Sequence, residues 1–324
     1  MNSFRTTFEI PQHHHKLNYS SKSLFMGSCF TENIGNNLKE LKFPVCINPT
    51  GIIYNPISIC STINYINTGY PFKESDLDFF NDAWFSFSHH GRFAHSDKKQ
   101  CLENINSEMQ NAAVFFKQAE FLFITLGSAY VYTHKKRNEV VANCHKLPSD
   151  VFTKSLLKAE TIINEFEKAL AQIQKSNPNI QVIFTVSPIR HWSDGAIENQ
   201  RSKSILITAI HEITEKQKNC FYFPAYELMM DDLRDYRFYA EDMIHPNASA
   251  IEYIREKFTS TFIDIASLEI MKKVMKLKRA MEHRPFGKDS QMYKKFRNDQ
   301  LNFTIELQKE FPFLNLLEFE EFFK

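Results

Sequence analysis

Three runs of five or six residues, Ser23–Gly27, Phe121–Leu126 and Gln181–Val186, are nearly continuously apolar. A strand with one wet face alternates polar and apolar residues, so a run that is apolar throughout must be covered on both sides. The segments between these runs repeat at helical spacing. Ile34, Leu38 and Leu41 follow the first run, Ile163, Phe166, Leu170 and Ile173 precede the third, and Leu206, Ile210 and Ile213 follow it. This alternation predicts an α/β fold: a three-layer α/β/α, doubly wound domain with a mostly parallel sheet over residues 1–265. Phe221, Tyr222 and Phe223 form a weaker fourth run.

Two stretches break the pattern. Residues 71–101 are rich in Phe, Asp, Ser and His without a clear period, and are expected to be an inserted loop. Trp84, Phe85, Phe87 and Phe93 are too apolar for a free loop, so it is expected to fold over the cleft as a lid. Beyond residue 265 the chain predicts a helical C-terminal extension, 266–324, packed on the core. Its basic residues read as a solvated helix face, because Val274, Leu277 and Met281 form an apolar stripe beneath them.

Composition removes several classes. Thirty-nine Lys plus Arg stand against 38 Asp plus Glu, so no global field favours nucleic acid. No glycine pattern of a dinucleotide-binding or phosphate-binding loop is present, and no cofactor is expected. No apolar stretch approaches a membrane span or a signal peptide, which leads to the expectation of a cytoplasmic protein without membrane partners. The six cysteines show no C-x-x-C spacing, so neither a zinc ribbon nor a disulfide framework is expected. The oligomeric state is left open.

The chemistry concentrates at two places. Gly27-Ser28-Cys29-Phe30-Thr31-Glu32 follows the first run directly, at a strand-to-helix turn. Unpaired N–H groups and the positive end of the helix dipole there lower a thiol's pKa and stabilise an oxyanion. A cysteine by itself is more often a small buried apolar residue. Far downstream, Asp242 lies three residues before His245 in a loop, where a carboxylate can bind the imidazole Nδ1 and leave Nε2 for a nucleophile. Arg190 and His191 follow the third run, where ligands of open sheets collect. An anion-binding or substrate-orienting role and a structural one are both open for them.

Together these strings resemble the SGNH (GDSL-type) hydrolase superfamily, whose first block reads G-D-S-L-T-E and whose last reads D-G-x-H-P-N. The match is Gly27-Ser28-Cys29-Phe30-Thr31-Glu32 and Asp242-Met243-Ile244-His245-Pro246-Asn247. More narrowly, Gly27-Ser28-Cys29-Phe30 followed by Thr31 is similar to the GSCFA family, a bacterial branch, and the likeness extends through 48–56, 126–132, 143–146 and 187–191. It puts Cys29 in the position of the nucleophilic serine and Ser28 in that of the Asp. It makes Gly51 the second-block glycine whose N–H helps hold the oxyanion. The third block departs, reading Gly127-Ser128-Ala129-Tyr130 where many members have G-x-N-D. Asn143, two residues before His145, is either the replacement amide or a turn residue.

The resemblance implies a hydrolase or acyl transferase acting on a small-molecule or carbohydrate ester. Cys29 would attack, His245 move the proton, Asp242 orient His245, and the N–H groups of Cys29 and Gly51 hold the oxyanion. Ser28 is the rival nucleophile, and a catalytically silent binding module is the rival function. Three geometric expectations follow. Cys29 and His245 form a hydrogen-bonded pair, Cys29 titrates below the roughly 8.5 of a free thiol, and at least one of His89, His90 and His95 approaches Cys29. A zinc site on those three histidines is the weaker alternative.

Overall fold

The computed structural model describes residues 6–283 and 290–324. The chain begins with β1 (Ser23–Gly27), α1 (Cys29–Glu40), β2 (Val45–Ile47) and α2 (Pro56–Thr68). A short hairpin, β3 (Asp78–Phe80) and β4 (Ala83–Phe85), precedes α3 (Lys98–Phe116) and β5 (Phe121–Leu126). Three outlying strands, β6 (Tyr130–His134), β7 (Glu139–Val141) and β8 (Phe152–Leu156), lead to α4 (Ala159–Ser176) and β9 (Gln181–Val186). Then come α5 (Gly195–Lys216), β10 (Cys220–Tyr222), a short α6 (Ala225–Glu227) and α7 (Ala248–Phe262). The chain closes with α8 (Ile265–Glu282), α9 (Gln291–Glu310) and α10 (Leu317–Phe323).

The central sheet has the order β10-β9-β5-β1-β2 and is parallel throughout. Its three long strands are apolar at most positions because both faces are covered. Leu24, Met26, Leu122, Ile124, Val182 and Phe184 face one core with α2, α3, α4 and α5. Phe25, Phe121, Phe123 and Ile183 face the other, with α1, α7 and the C-terminal helices. The three-layer α/β/α architecture is therefore the one the apolar runs demand. The chain leaves β1 for β2 on one side and returns to β5 on the other. The carboxyl ends of β1 and β5 thus form the switch point where open sheets place their sites.

The C-terminal extension shares this second core. Ile270, Met271, Val274 and Leu277 of α8 are buried in it, and Met281 packs against its edge. The lysines above the stripe make ion pairs, Lys278 with Glu40 of α1 and Lys273 with Glu310 of α9. Part of the basic stretch, 284–289, lies outside the described residues.

Residues 71–101 differ from the expected irregular loop. Asn81 and Asp82 both have positive φ, 47° and 57°, and close β3 onto β4 as a two-residue hairpin. The segment from Lys98 onward is already helix α3. The apolar residues are not spent on a free lid: Phe85 and Phe87 pack with Val141 and Phe152, and Phe72 and Phe93 join the first core. His89 is wholly buried, edge-on to the Phe72 and Phe93 rings, and neither ring nitrogen has a hydrogen-bond partner.

Two stability predictions follow from these positions. A Cβ on Gly27 would lie 2.2 Å from the Thr125 carbonyl oxygen, at a φ of +138°. Gly27→Ala is expected to cost about 3 kcal/mol or more from overpacking and backbone strain, read as a fall in the urea midpoint. Burial holds the His89 pKa at about 3, against the ordinary 6.5. As pH falls from about 6.5 toward 3 the unfolded chain takes a proton that the folded chain refuses, so stability is lost over that window. His89→Phe should therefore regain about 2 kcal/mol at pH 5 relative to pH 8, measured by urea unfolding at the two pH values.

Candidate active site

The site is built outward from the end of β1. Gly27 donates its N–H to Asn48 Oδ1 at 2.8 Å and accepts at its carbonyl from the Ile53 N–H at 3.2 Å. Ser28 is the N-cap of α1, and its N–H donates to Thr125 O at 3.3 Å. That bond takes the Ser28 N–H away from any ligand. The Ser28 hydroxyl is buried without a hydrogen-bond partner.

Cys29 is the first residue of α1, half-buried, with a free thiol. Burial pushes its pKa above the ordinary thiol value, and the Glu32 carboxylate pushes the same way. The backbone N–H groups of Cys29 and Phe30 and the charge of Lys203 pull it down, but they do not win. This reverses the expected depression. The helix N-terminus acts as expected in sign, yet loss of water around the sulfur is the larger effect.

The loop that closes over this turn is 48–54. Asn48 is buried and holds the left-handed backbone, φ 45°, that asparagine tolerates. Its Oδ1 takes the Gly27 N–H, its Nδ2 donates to Glu32 at 3.2 Å, and its carbonyl accepts from Arg92. Gly51 has a φ of +80°, and a Cβ there would fall 2.2 Å from His90 Cβ. The Gly51 N–H donates to Asn48 O at 2.7 Å. It is committed to a tight turn and is not free as an oxyanion donor in this state. His90 therefore buttresses the Gly51 turn.

His245 stands on the loop before α7. Asp242 Oδ1 accepts the N–H groups of Ile244 and His245, each at 2.9 Å, and its Oδ2 lies 2.5 Å from His245 Nδ1. Those N–H bonds, then the imidazole, hold the carboxyl at about 2. Met243 absorbs the turn at φ 58°, and Asn247 caps α7 through Ala250 N. The D-x-x-H-P-N string is thus a self-contained device that orients one imidazole and leaves its Nε2 without a hydrogen-bond partner among the described residues. No hydrogen bond joins His245 to Cys29, so the expected pair is not closed in this state.

The other candidates fall in two places. Asn143 Oδ1 accepts the N–H of His145 at 2.7 Å, and His145 stacks on Phe85 with its Nε2 3.0 Å from Ser86 O. Neither is hydrogen-bonded to Cys29, and Asn143 works as a turn residue. His89, His90 and His95 do not converge either, since His95 Nδ1 accepts from the Asp97 N–H. Among the described residues no group of three metal-ligating side chains gathers. Arg190 and His191 do reach the site end of β9. The His191 ring lies 4.8 Å from that of Tyr54, and the His191 backbone N–H donates to Asn199 Oδ1 at 2.9 Å.

Lys203 of α5 is the residue that sequence reasoning passed over. It is fully buried and donates to Gly127 O and Ser187 O, both at 2.8 Å, bridging the ends of β5 and β9. Burial first, then repulsion from Arg190, lowers its pKa to about 7, while Cys29 pulls it up. A signal existed: Lys203 lies one helical turn before Leu206 and two before Ile210, on the stripe that faces the core.

Comparison with known proteins identifies the family of the chain. The model of the GSCFA family matches residues 22–258, and that of the GSCFA domain protein C-terminal domain matches 274–324. No functionally curated protein shows significant sequence similarity to the chain. Among solved structures, a carbohydrate esterase family 3 protein from Talaromyces cellulolyticus is 9% identical, with a TM-score of 0.36, covering 79% of this chain and 99% of its own. An acetyl xylan esterase from the rumen bacterium Butyrivibrio proteoclasticus is 13% identical, also with a TM-score of 0.36, covering 75% of this chain and 65% of its own. Since the family model spans well over half of the sequence and contains the Gly27–Glu32 and Asp242–Asn247 strings, the chain belongs to the GSCFA family.

Proposed function

We propose that this protein transfers acyl groups from an ester, to water or to a second alcohol, through Cys29. The observation that carries this reading is the His245–Asp242 pair, an imidazole fixed at Nδ1 with Nε2 unpartnered among the described residues, within the span that the family model matches. In the proposed cycle the Cys29 sulfur attacks the ester carbonyl and its proton passes to His245 Nε2. The alcohol leaves with that proton, and a thioester remains on Cys29. Water or an acceptor alcohol, deprotonated by His245, then releases the acid or the new ester. The His245 loop must approach Cys29 for this, a movement of an exposed segment.

A raised thiol pKa is compatible with such a cycle when the base takes the proton during attack rather than before it. The free N–H groups at the start of α1 favour negative charge as it develops, and Lys203 adds a positive charge beneath them. Ser28 fits the nucleophile role poorly, because its hydroxyl is enclosed. The second reading, a silent binding module, draws on the unclosed Cys29–His245 pair.

Turnover of 4-nitrophenyl acetate and mass spectrometry of the acyl adduct separate the two. Cys29→Ala is expected to remove the adduct and lower turnover on the order of 10³-fold or more, with Asp242→Asn on the order of 10²-fold or more. Background rates equal in wild type and Cys29→Ala, with no adduct on either, would hand the protein to the binding reading. A further expectation concerns Cys29. The pH midpoint of its alkylation by iodoacetamide should lie above that of a free thiol, since burial disfavours the thiolate.

A further inference from the structure

Beside the His245 loop lies a cavity of about 400 Å³ that the proposed cycle does not use. Asp242 and Ile244 form one wall, Arg190 and Trp192 another, and Met230 and Tyr236 complete it. Of the carboxylates around it, Asp235 pairs with Arg237 and Asp231 with Arg234, while the oxygens of Asp242 are engaged by the N–H groups of Ile244 and His245 and by His245 Nδ1. Arg190 has no carboxylate partner among the described residues. Its Nη2 rests 3.1 Å from Met230 Sδ, a weak acceptor, and the charge it acts on most directly is the repelling Lys203. A half-buried guanidinium without a carboxylate partner leaves a planar fork of donors unsatisfied at the cavity wall.

The ring content points the same way. Trp192 is 51% exposed and Tyr236 75% exposed, although both line the cavity. Aromatic faces open beside a concave site are covered well by a ligand with a flat apolar face, such as one side of a sugar ring. We propose that this cavity receives the alcohol part of the ester, and that this part is a sugar carrying one anionic group, carboxylate or phosphate. The ring lies on Trp192 and Tyr236, and the anion pairs with Arg190. The inference deepens the acyl-transfer reading and rests on it only for the ester bond.

The test is calorimetric titration of the full chain carrying Cys29→Ala with glucuronate, glucose 6-phosphate and glucose. At least one anionic sugar is expected to bind at least about tenfold more tightly than glucose, a margin of about 1.4 kcal/mol. Which anion binds identifies the charged group. Arg190→Gln should abolish the margin and Arg190→Lys retain part of it, whereas Trp192→Ala should weaken all three sugars and keep the margin. Equal binding of the three, binding of none, or a margin that survives Arg190→Gln would overturn the inference. Because titration needs no turnover, a chain that discriminates these sugars yet forms no adduct on Cys29 keeps this subsite and loses the acyl-transfer reading. A chain that forms the adduct without discrimination does the reverse.

Discussion

At the end of β1 the backbone of Gly27 approaches the Thr125 carbonyl so closely that no side chain fits between them. From that approach the local order of the site follows. The Ser28 N–H is drawn to Thr125, which starts α1 in register and fixes Cys29 as its first residue. The Gly27 N–H and carbonyl are then taken by Asn48 and Ile53, which bind the next loop across the same turn. Arg92 and His90 brace that loop from outside, so the stretch expected to be a lid supports the wall of the cleft. Each bond uses a backbone group that a looser packing of β1 on β5 would leave unpaired.

Electrostatics at this switch point come from three sources of like sign: the start of α1, the buried Lys203 and the unpaired Arg190. Neither Lys203 nor Arg190 has a carboxylate partner among the described residues, and Lys203 is satisfied by the carbonyls of Gly127 and Ser187. Burial nevertheless keeps the Cys29 thiol neutral at rest. An environment that resists a standing charge but offers donors and cations to a developing one is suited to stabilise a transition state more than a ground state. The same arrangement makes a ligand's own negative charge welcome in the cavity beside it.

Much of the site was legible in the chain because it lies in short strings whose parts act on each other. Asp242, His245 and Asn247 turn, orient and cap within six residues, so sequence spacing and geometry are the same information. The Gly51 N–H was misread for the opposite reason. Whether an amide faces a ligand or its own turn depends on a φ that sequence does not specify. The β3–β4 hairpin was missed because Asn81-Asp82 carries a weaker turn signal than a glycine-containing pair, and strands of three residues show no period.

The sequence by itself determined the three layers, the placement of Cys29 at a helix start, and the self-contained His245 loop. Each is set by burial on both faces of a strand or by bonds between near neighbours. Only the tertiary structure decided that Lys203 bridges β5 and β9 beneath the site, that Arg190 has no carboxylate partner among the described residues, and that desolvation outweighs the helix N-terminus at Cys29. Those outcomes depend on which distant groups are brought together and on how much water is removed between them. Long-range charge pairing and burial belong to the folded assembly of strands, and no local pattern of residues contains them.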